Sequence, residues 1–171
     1  NLEIAATKEM LNIALRHKPN FVCIVPEKRK EITTEGGLNL NYKKKFLKEI
    51  IFKLKKNGSR ISVFIEPKIK DVNIAKDLNV DCIEFHTGKI CNLINKNKKY
   101  ISEFKKINAA VNFASSLGLE VHAGHGLNYQ SAKIISQIKK IKEFNIGHFL
   151  VGESIYVGLP AVIKQFKKII G

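Results

Sequence analysis

Apolar residues recur along the chain in two alternating rhythms. Short dense runs rich in β-branched side chains, such as Phe21 to Pro26 (FVCIVP), Ile61 to Glu66 (ISVFIE) and Cys82 to His86 (CIEFH), predict strands. Asn1 to Ala5 (NLEIA), Glu120 to Ala123 (EVHA) and Ile146 to Val151 (IGHFLV) read as three more. Between them apolar positions return at helical spacing. Leu47, Ile50, Ile51 and Leu54 do so before Gly58, and Ile101, Phe104, Ile107, Val111 and Ala114 before Gly118. Ile134, Ile135, Ile138 and Ile141 predict a further helix, and Val162, Ile163, Phe166 and Ile169 the last. Thr7 is placed to cap the first helix, and another helix is predicted near Val72 to Leu78.

Six strand–helix units result, and their strands read as near-continuous apolar runs. Strands buried on both faces and joined by helical crossovers form a parallel sheet. An open doubly wound sheet and a (β/α)8 TIM barrel both fit that pattern. Two observations favour the barrel. No G-x-G-x-x-G follows any strand. At about 28 residues per unit, eight units need roughly 230 residues, within the usual barrel range. The expected fold is therefore an α/β TIM barrel of which residues 1–171 form the last six β/α units, as one domain lacking its first two.

Composition adjusts this picture only in places. With 171 residues, 44% of them hydrophobic, the chain can bury one real core. No apolar stretch approaches the roughly 18 residues of a membrane span. Three cysteines without a C-x-x-C pair argue against a disulfide framework and for a reducing, cytoplasmic setting. Cys23 and Cys82 read as small core residues and Cys91 as a surface thiol. The formal net charge of +15 invites a nucleic-acid reading. It comes from 27 lysines and only 3 arginines, however, and arrives with 24 isoleucines and 15 asparagines, the bias of an AT-rich coding background. Nucleic-acid recognition favours the planar guanidinium. Lys43, Lys44, Lys45, Lys48, Lys53, Lys55 and Lys56 are expected on a solvated helix face. The charge still favours attraction of anionic substrates such as sugar phosphates.

In a barrel, reactive groups gather at the C-terminal ends of the strands. Glu3 interrupts Leu2 and Ile4, so its side chain points opposite to theirs and into the barrel. Glu84 and His86 share one face of their strand, leaving Ile83 and Phe85 for the helices. Burying such carboxylates without purpose is costly, which favours a functional role for both Glu3 and Glu84. His125, between Gly124 and Gly126, is reachable as an acid or base near neutral pH. His122 fits a supporting role, and His86 is open between structure and function. His17, closing a helix, reads as structural. Gly124, Gly126, Gly147 and Gly152 let backbone N–H groups approach an anion closely, and barrel phosphate sites often use the last loops. His86, His122, His125 and His148 with Glu3 or Glu84 form a conceivable metal set, but the H-x-x-H spacing is a weak signal, and no metal is expected. A nucleophile elbow is absent.

Four blocks of residues carry a resemblance. They are Val25-Pro-Glu-Lys-Arg29 with Glu31-Ile-Thr-Thr-Glu-Gly-Gly37, Ile83-Glu-Phe-His-Thr-Gly88, Ala123-Gly-His-Gly-Leu127 and Asn145-Ile-Gly-His148. In this order and spacing they resemble the pyridoxine 5′-phosphate synthase family of deoxyxylulose-dependent vitamin B6 synthesis. The resemblance implies a TIM barrel with extra helices, assembled as a homo-octamer (a tetramer of dimers). It implies condensation of 3-amino-2-oxopropyl phosphate with 1-deoxy-D-xylulose 5-phosphate, releasing phosphate and water, with no metal or organic cofactor. By motif match, Glu3 takes the place of a general base, His125 of the proton donor and Glu84 of a carboxylate that stabilises a transition state. Thr33 matches a contact to the deoxyxylulose phosphate, and Gly126, Gly147 and His148 match contacts to the amino-ketone phosphate. The family's N-x-D-H and H-x-R-E-D-R-R motifs, which supply a further histidine and phosphate contacts, have no counterpart in residues 1–171. Two other functions remain as alternatives: a different phosphate-binding barrel, such as an aldolase or isomerase, and a basic nucleic-acid-binding protein. Neither nucleic acid nor a membrane is the expected partner.

Overall fold

The computed structural model describes residues 1–27 and 36–171. Six parallel strands form one sheet in sequence order: β1 (Leu2–Ile4), β2 (Phe21–Ile24), β3 (Arg60–Ile65), β4 (Cys82–His86), β5 (Glu120–Gly124) and β6 (Ile141–Asn145). The helices are α1 (Lys8–His17), α2 (Lys44–Lys56), α3 (Ile69–Asp77), α4 (Gly88–Asn95), α5 (Ile101–Ser116), α6 (Tyr129–Ile135), α7 (His148–Val157) and α8 (Leu159–Ile170). The strand order never reverses, so there is no topological switch point of the doubly wound kind.

The sheet is strongly curled. Strands two positions apart lie nearly 10 Å from each other in a flat sheet, by the usual spacing of about 4.8 Å per strand. Yet Glu84 of β4 is reached by Cys23 of β2 on one side and by Asn145 of β6 on the other. Such contacts require the sheet to wrap around its concave face, as in part of a barrel. Six strands in sequence order on a curled sheet are consistent with part of a TIM barrel, with β1 and β6 as the outer members of the sheet.

The expectation of near-continuous apolar strands needs correction, because the two faces differ in polarity. Ile4, Val22, Ile24, Val63, Ile65, Ile83, Phe85, Val121 and Ala123 face outward and join helix residues such as Leu11, Ile51, Leu54, Val72, Ile90 and Val111 in one buried cluster. The register places the alternate residues together on the concave side: Glu3 beside Cys23, Phe64 beside Glu84, Glu84 beside His122, and His122 beside Glu143. Cys23 and Cys82 are buried, as expected. Cys91, expected at the surface, is buried as well, because α4 turns it inward against the β5–α6 corner.

Local chemistry starts and stops the elements. Thr7 caps α1 through the Met10 N–H (3.1 Å), as its position predicts. Asn128 and Ser131 form a reciprocal capping box on α6. The helix expected through Ile141 instead ends at Ile135, and the segment beyond it turns by bonds from Ile138 N–H to Ile135 O and from Ile141 N–H to Ile138 O. Consequently the last strand is Ile141–Asn145 and not Ile146 to Val151, and Gly147 and His148 open α7 beyond the strand end. α4, which the periodicity did not separate from α5, is an additional helix.

Candidate active site

Glu84 sits at the centre of the concave face, 5% exposed. Its Oε2 accepts from Asn145 Nδ2 at 2.8 Å and from the Cys23 thiol at 3.5 Å. Gly124, the neighbouring end of β5, makes room for the carboxylate: a Cβ there would run into Glu84 Oε1. Burial pushes the Glu84 pKa up to about 7. The Asn145 and Cys23 hydrogen bonds oppose this shift, while the like charges of Glu3 and Glu143 add to it. The group therefore exchanges a proton near neutral pH. Cys23 pays for the same surroundings, its thiol pushed far up by burial and by Glu84. Gly124→Ala is expected to lower stability by about 1–3 kcal/mol, the usual range for overpacking, and to displace the Glu84 carboxylate. Thermal melts read beside activity check this; an unchanged melting temperature with full activity would reject the close fit.

His125 follows β5 on the corner into α6, with φ of 76°, and Gly126 continues at 79°. A side chain at such φ is uncommon, although histidine tolerates it better than most residues. The surroundings hold this conformation in place. Thr87, fully buried, shares its single hydroxyl proton between Gly124 O (2.8 Å) and His125 O (2.7 Å), and its own N–H also reaches Gly124 O at 2.9 Å. The imidazole is thus presented to solvent from a pinned backbone. Partial desolvation and, behind it, the charge of His86 hold its pKa below the ordinary imidazole value.

A second buried pair lies beneath His125. The Glu66 carboxylate, directly after β3, meets His86 Nδ1 at 2.9 Å and accepts the Gly37 N–H at 3.0 Å. The His86 ring packs 4.8 Å from the His125 ring, and Phe64 stands edge-on to it at 5.2 Å. Gly88 has no Cβ because one would lie 2.7 Å from His86 Nε2 and 2.9 Å from His125 Cδ2.

Above these groups opens a cavity of about 1080 Å³. Glu3, Glu84, His125, Gly126, Gly147 and His148 all line it, together with Phe64 and Asn145. Of the residues singled out in the sequence, these six are brought together; Thr33 lies outside the described residues. His86 and His122 do not line the cavity. His122 is buried deeper, its Nε2 2.9 Å from Glu120 and its Nδ1 3.6 Å from Glu143. Of the four histidines weighed as a metal set, His86 and His122 are thus engaged by separate carboxylates, Glu66 for one and Glu120 with Glu143 for the other. Among the described residues, the one set of three ligand-type side chains whose atoms all lie within 4.8 Å of one another is Cys82, Glu120 and His122. The Arg60 guanidinium already occupies that corner, donating to Cys82 Sγ at 3.4 Å and Glu120 Oε2 at 3.2 Å. Glu66, Thr87 and Asn145 are contributors that sequence reasoning did not single out. The signal for Thr87 and Asn145 was their place within the quoted motifs, and for Glu66 only its position at the end of a predicted strand.

The model of the family described as "Pyridoxal phosphate biosynthesis protein PdxJ" matches residues 1–171. The pyridoxine 5'-phosphate synthase of Pelagibacter ubique is 56% identical over 169 residues, covering 99% of this chain and 71% of that protein. The synthase of Zymomonas mobilis is 50% identical, covering 98% of this chain and 64% of its own length. The chain belongs to the PdxJ family. It spans about two thirds of the length of the PdxJ relatives it matches. The I-E-F-H-T-G block runs along β4, where Glu84 sits, into the corner after it, and the A-G-H-G block runs from the end of β5 into the corner that carries His125. Among solved structures, 3-keto-L-gulonate-6-phosphate decarboxylase from Vibrio cholerae aligns over 94% of this chain and 67% of its own, with a TM-score of 0.60 at 14% identity. A xylose isomerase domain protein from Planctomyces limnophilus aligns over 99% of this chain and 70% of its own at 0.59 and 10% identity. These two likenesses concern the fold alone.

Proposed function

We propose that this chain carries the acid–base face of a pyridoxine 5′-phosphate synthase, which condenses 3-amino-2-oxopropyl phosphate with 1-deoxy-D-xylulose 5-phosphate and releases phosphate and water. One observation carries the reading: carboxylates on β1 and β4 and an imidazole just beyond β5 line a single cavity bordered by glycine-bearing corners. Imine formation, water loss and aldol-type ring closure each move protons, and groups that titrate near neutral pH move them in both directions. Glu3 serves as general base from the open side of the cavity. His125 donates and recovers a proton at the leaving oxygen. Glu84, poised near neutrality at the cavity floor, stabilises positive charge when ionised.

Anion binding falls to the corners beyond β5 and β6. Gly126 and Gly147 let backbone N–H groups close on a phosphate, and His148 at the start of α7 adds a side-chain donor. Thr33 is assigned to the second phosphate. The two outer strands, β1 and β6, mark where two further β/α units would close the barrel and add the phosphate contacts of the missing motifs. The exposed apolar residues Val151, Ile155, Tyr156 and Val157 of α7 suit association with other protein surface, in keeping with a homo-octamer. Among the described residues no helix is long and apolar enough to cross a membrane.

The direct test incubates the full-length protein with both phosphorylated substrates and follows pyridoxine 5′-phosphate by its absorbance and mass. Product formation dependent on both substrates is expected. None at high protein concentration would overturn the proposal.

A further inference from the structure

We propose that Glu66 is a positioning residue for proton transfer: acting through His86, it fixes the packing of the His125 ring, and through the Gly37 N–H it ties that ring to the segment beside the cavity. This rests on His125 being the proton-exchanging group of the proposed synthase.

The carboxylate is 1% exposed, and a buried carboxylate is costly unless its partners compensate. Here one oxygen, Oε1, takes both contacts, the Gly37 N–H at 3.0 Å and His86 Nδ1 at 2.9 Å. An ionised carboxylate only accepts, so in that state of Glu66 the proton of the second contact sits on His86 Nδ1. The tautomer and the ring plane are thereby set together. The ring lies close under two glycine backbones, where a Cβ at Gly88 would come within 2.7 Å of Nε2 and one at Gly36 within 3.0 Å of Cε1, and Phe64 stands against it edge-on. His125 packs against the remaining side at 4.8 Å.

Neither Glu66 nor His86 lines the cavity, so the pair reaches the chemistry through neighbours that do, of which His125 is the one that titrates. Among the described residues, Glu66 from beyond β3 and His125 from the β5–α6 corner are the ionisable groups packed against His86. Charge on His86 opposes charge on His125, which couples the buried pair to the acid strength of the exposed imidazole. The arrangement resembles in logic a carboxylate that orients a catalytic histidine, set back by one ring.

The test compares Glu66→Ala and Glu66→Gln in the full chain by steady-state kinetics and by NMR titration of the His125 ring. Glu66→Ala is expected to lower kcat by about tenfold or more with KM within about threefold. It should also move the His125 titration upward, toward the ordinary imidazole range. Glu66→Gln keeps an acceptor for both donors and should recover much of the lost kcat. Unchanged kcat in Glu66→Ala would overturn the proposal. So would an unchanged His125 titration in protein shown to be folded by its melting curve, even where stability falls. The titration also separates this proposal from the synthase reading. A wild-type chain that makes no product rejects that reading, while the response of His125 to Glu66 still decides this one.

Discussion

His125→Asn is expected to lower turnover by at least about a hundredfold, the scale for loss of a general acid–base group, with the fold intact. Asparagine is the informative replacement because of the backbone. At φ of 76° most side chains are strained, whereas asparagine shares the tolerance of histidine for positive φ. The Thr87 hydroxyl and the Cys91 thiol bind the carbonyl of residue 125, not its side chain, so both contacts survive the change. The loss is therefore chemical: asparagine fits the corner but cannot release and recover a proton. A melting temperature near wild type with kcat down a hundredfold or more is the expected pair of results. A kcat within about tenfold of wild type would remove His125 from the mechanism and move attention to Glu3 and Glu84.

Much of this site was legible because strand geometry is periodic. Glu3 between Leu2 and Ile4, and Glu84 between Ile83 and Phe85, can only point away from the helices once those apolar neighbours pack outward, as they do. The glycines around His125 announced an exposed corner, and the corner is there. What sequence spacing could not reveal depends on neighbours supplied by other strands. Asn145 acquires its meaning from Glu84, 61 residues away, and Glu66 from His86 and Gly37, 20 and 29 residues away. Thr87 reads as an ordinary polar residue until the β5 corner is laid beside it. The misplaced last strand has a different cause. Ile135, Ile138 and Ile141 fit helical spacing, yet a tight turn buries the same three side chains in the same core. Apolar periodicity reports which residues go inside, and over so short a stretch two backbone paths satisfy it. The correction matters for function, since it moves Gly147 and His148 from mid-strand to the start of a helix at the cavity rim.

Glu84→Gln separates the catalytic value of a buried carboxyl from its cost to stability, and the two are expected to change in opposite directions. The amide keeps an oxygen for Asn145 Nδ2 and the Cys23 thiol but cannot ionise, so turnover should fall by about a hundredfold or more. Stability follows from the sign of the shift. The folded-state pKa near 7 lies above the ordinary value of 4.5, so between these values the folded protein binds the proton that the unfolded chain releases. Stability is then full below pH 4.5 as far as this group is concerned and declines as pH rises toward 7. Above pH 7 the folded state holds a buried charge at a cost of about 3 kcal/mol by the conversion of pKa shift to free energy. Glu84→Gln abolishes that decline. Its melting temperature should match wild type near pH 4.5 and exceed it at pH 8, while its activity is lower at both. A wild-type excess at pH 8 would mean that the carboxylate is stabilised where it sits, and the poised proton at the centre of the proposed chemistry would be lost with it.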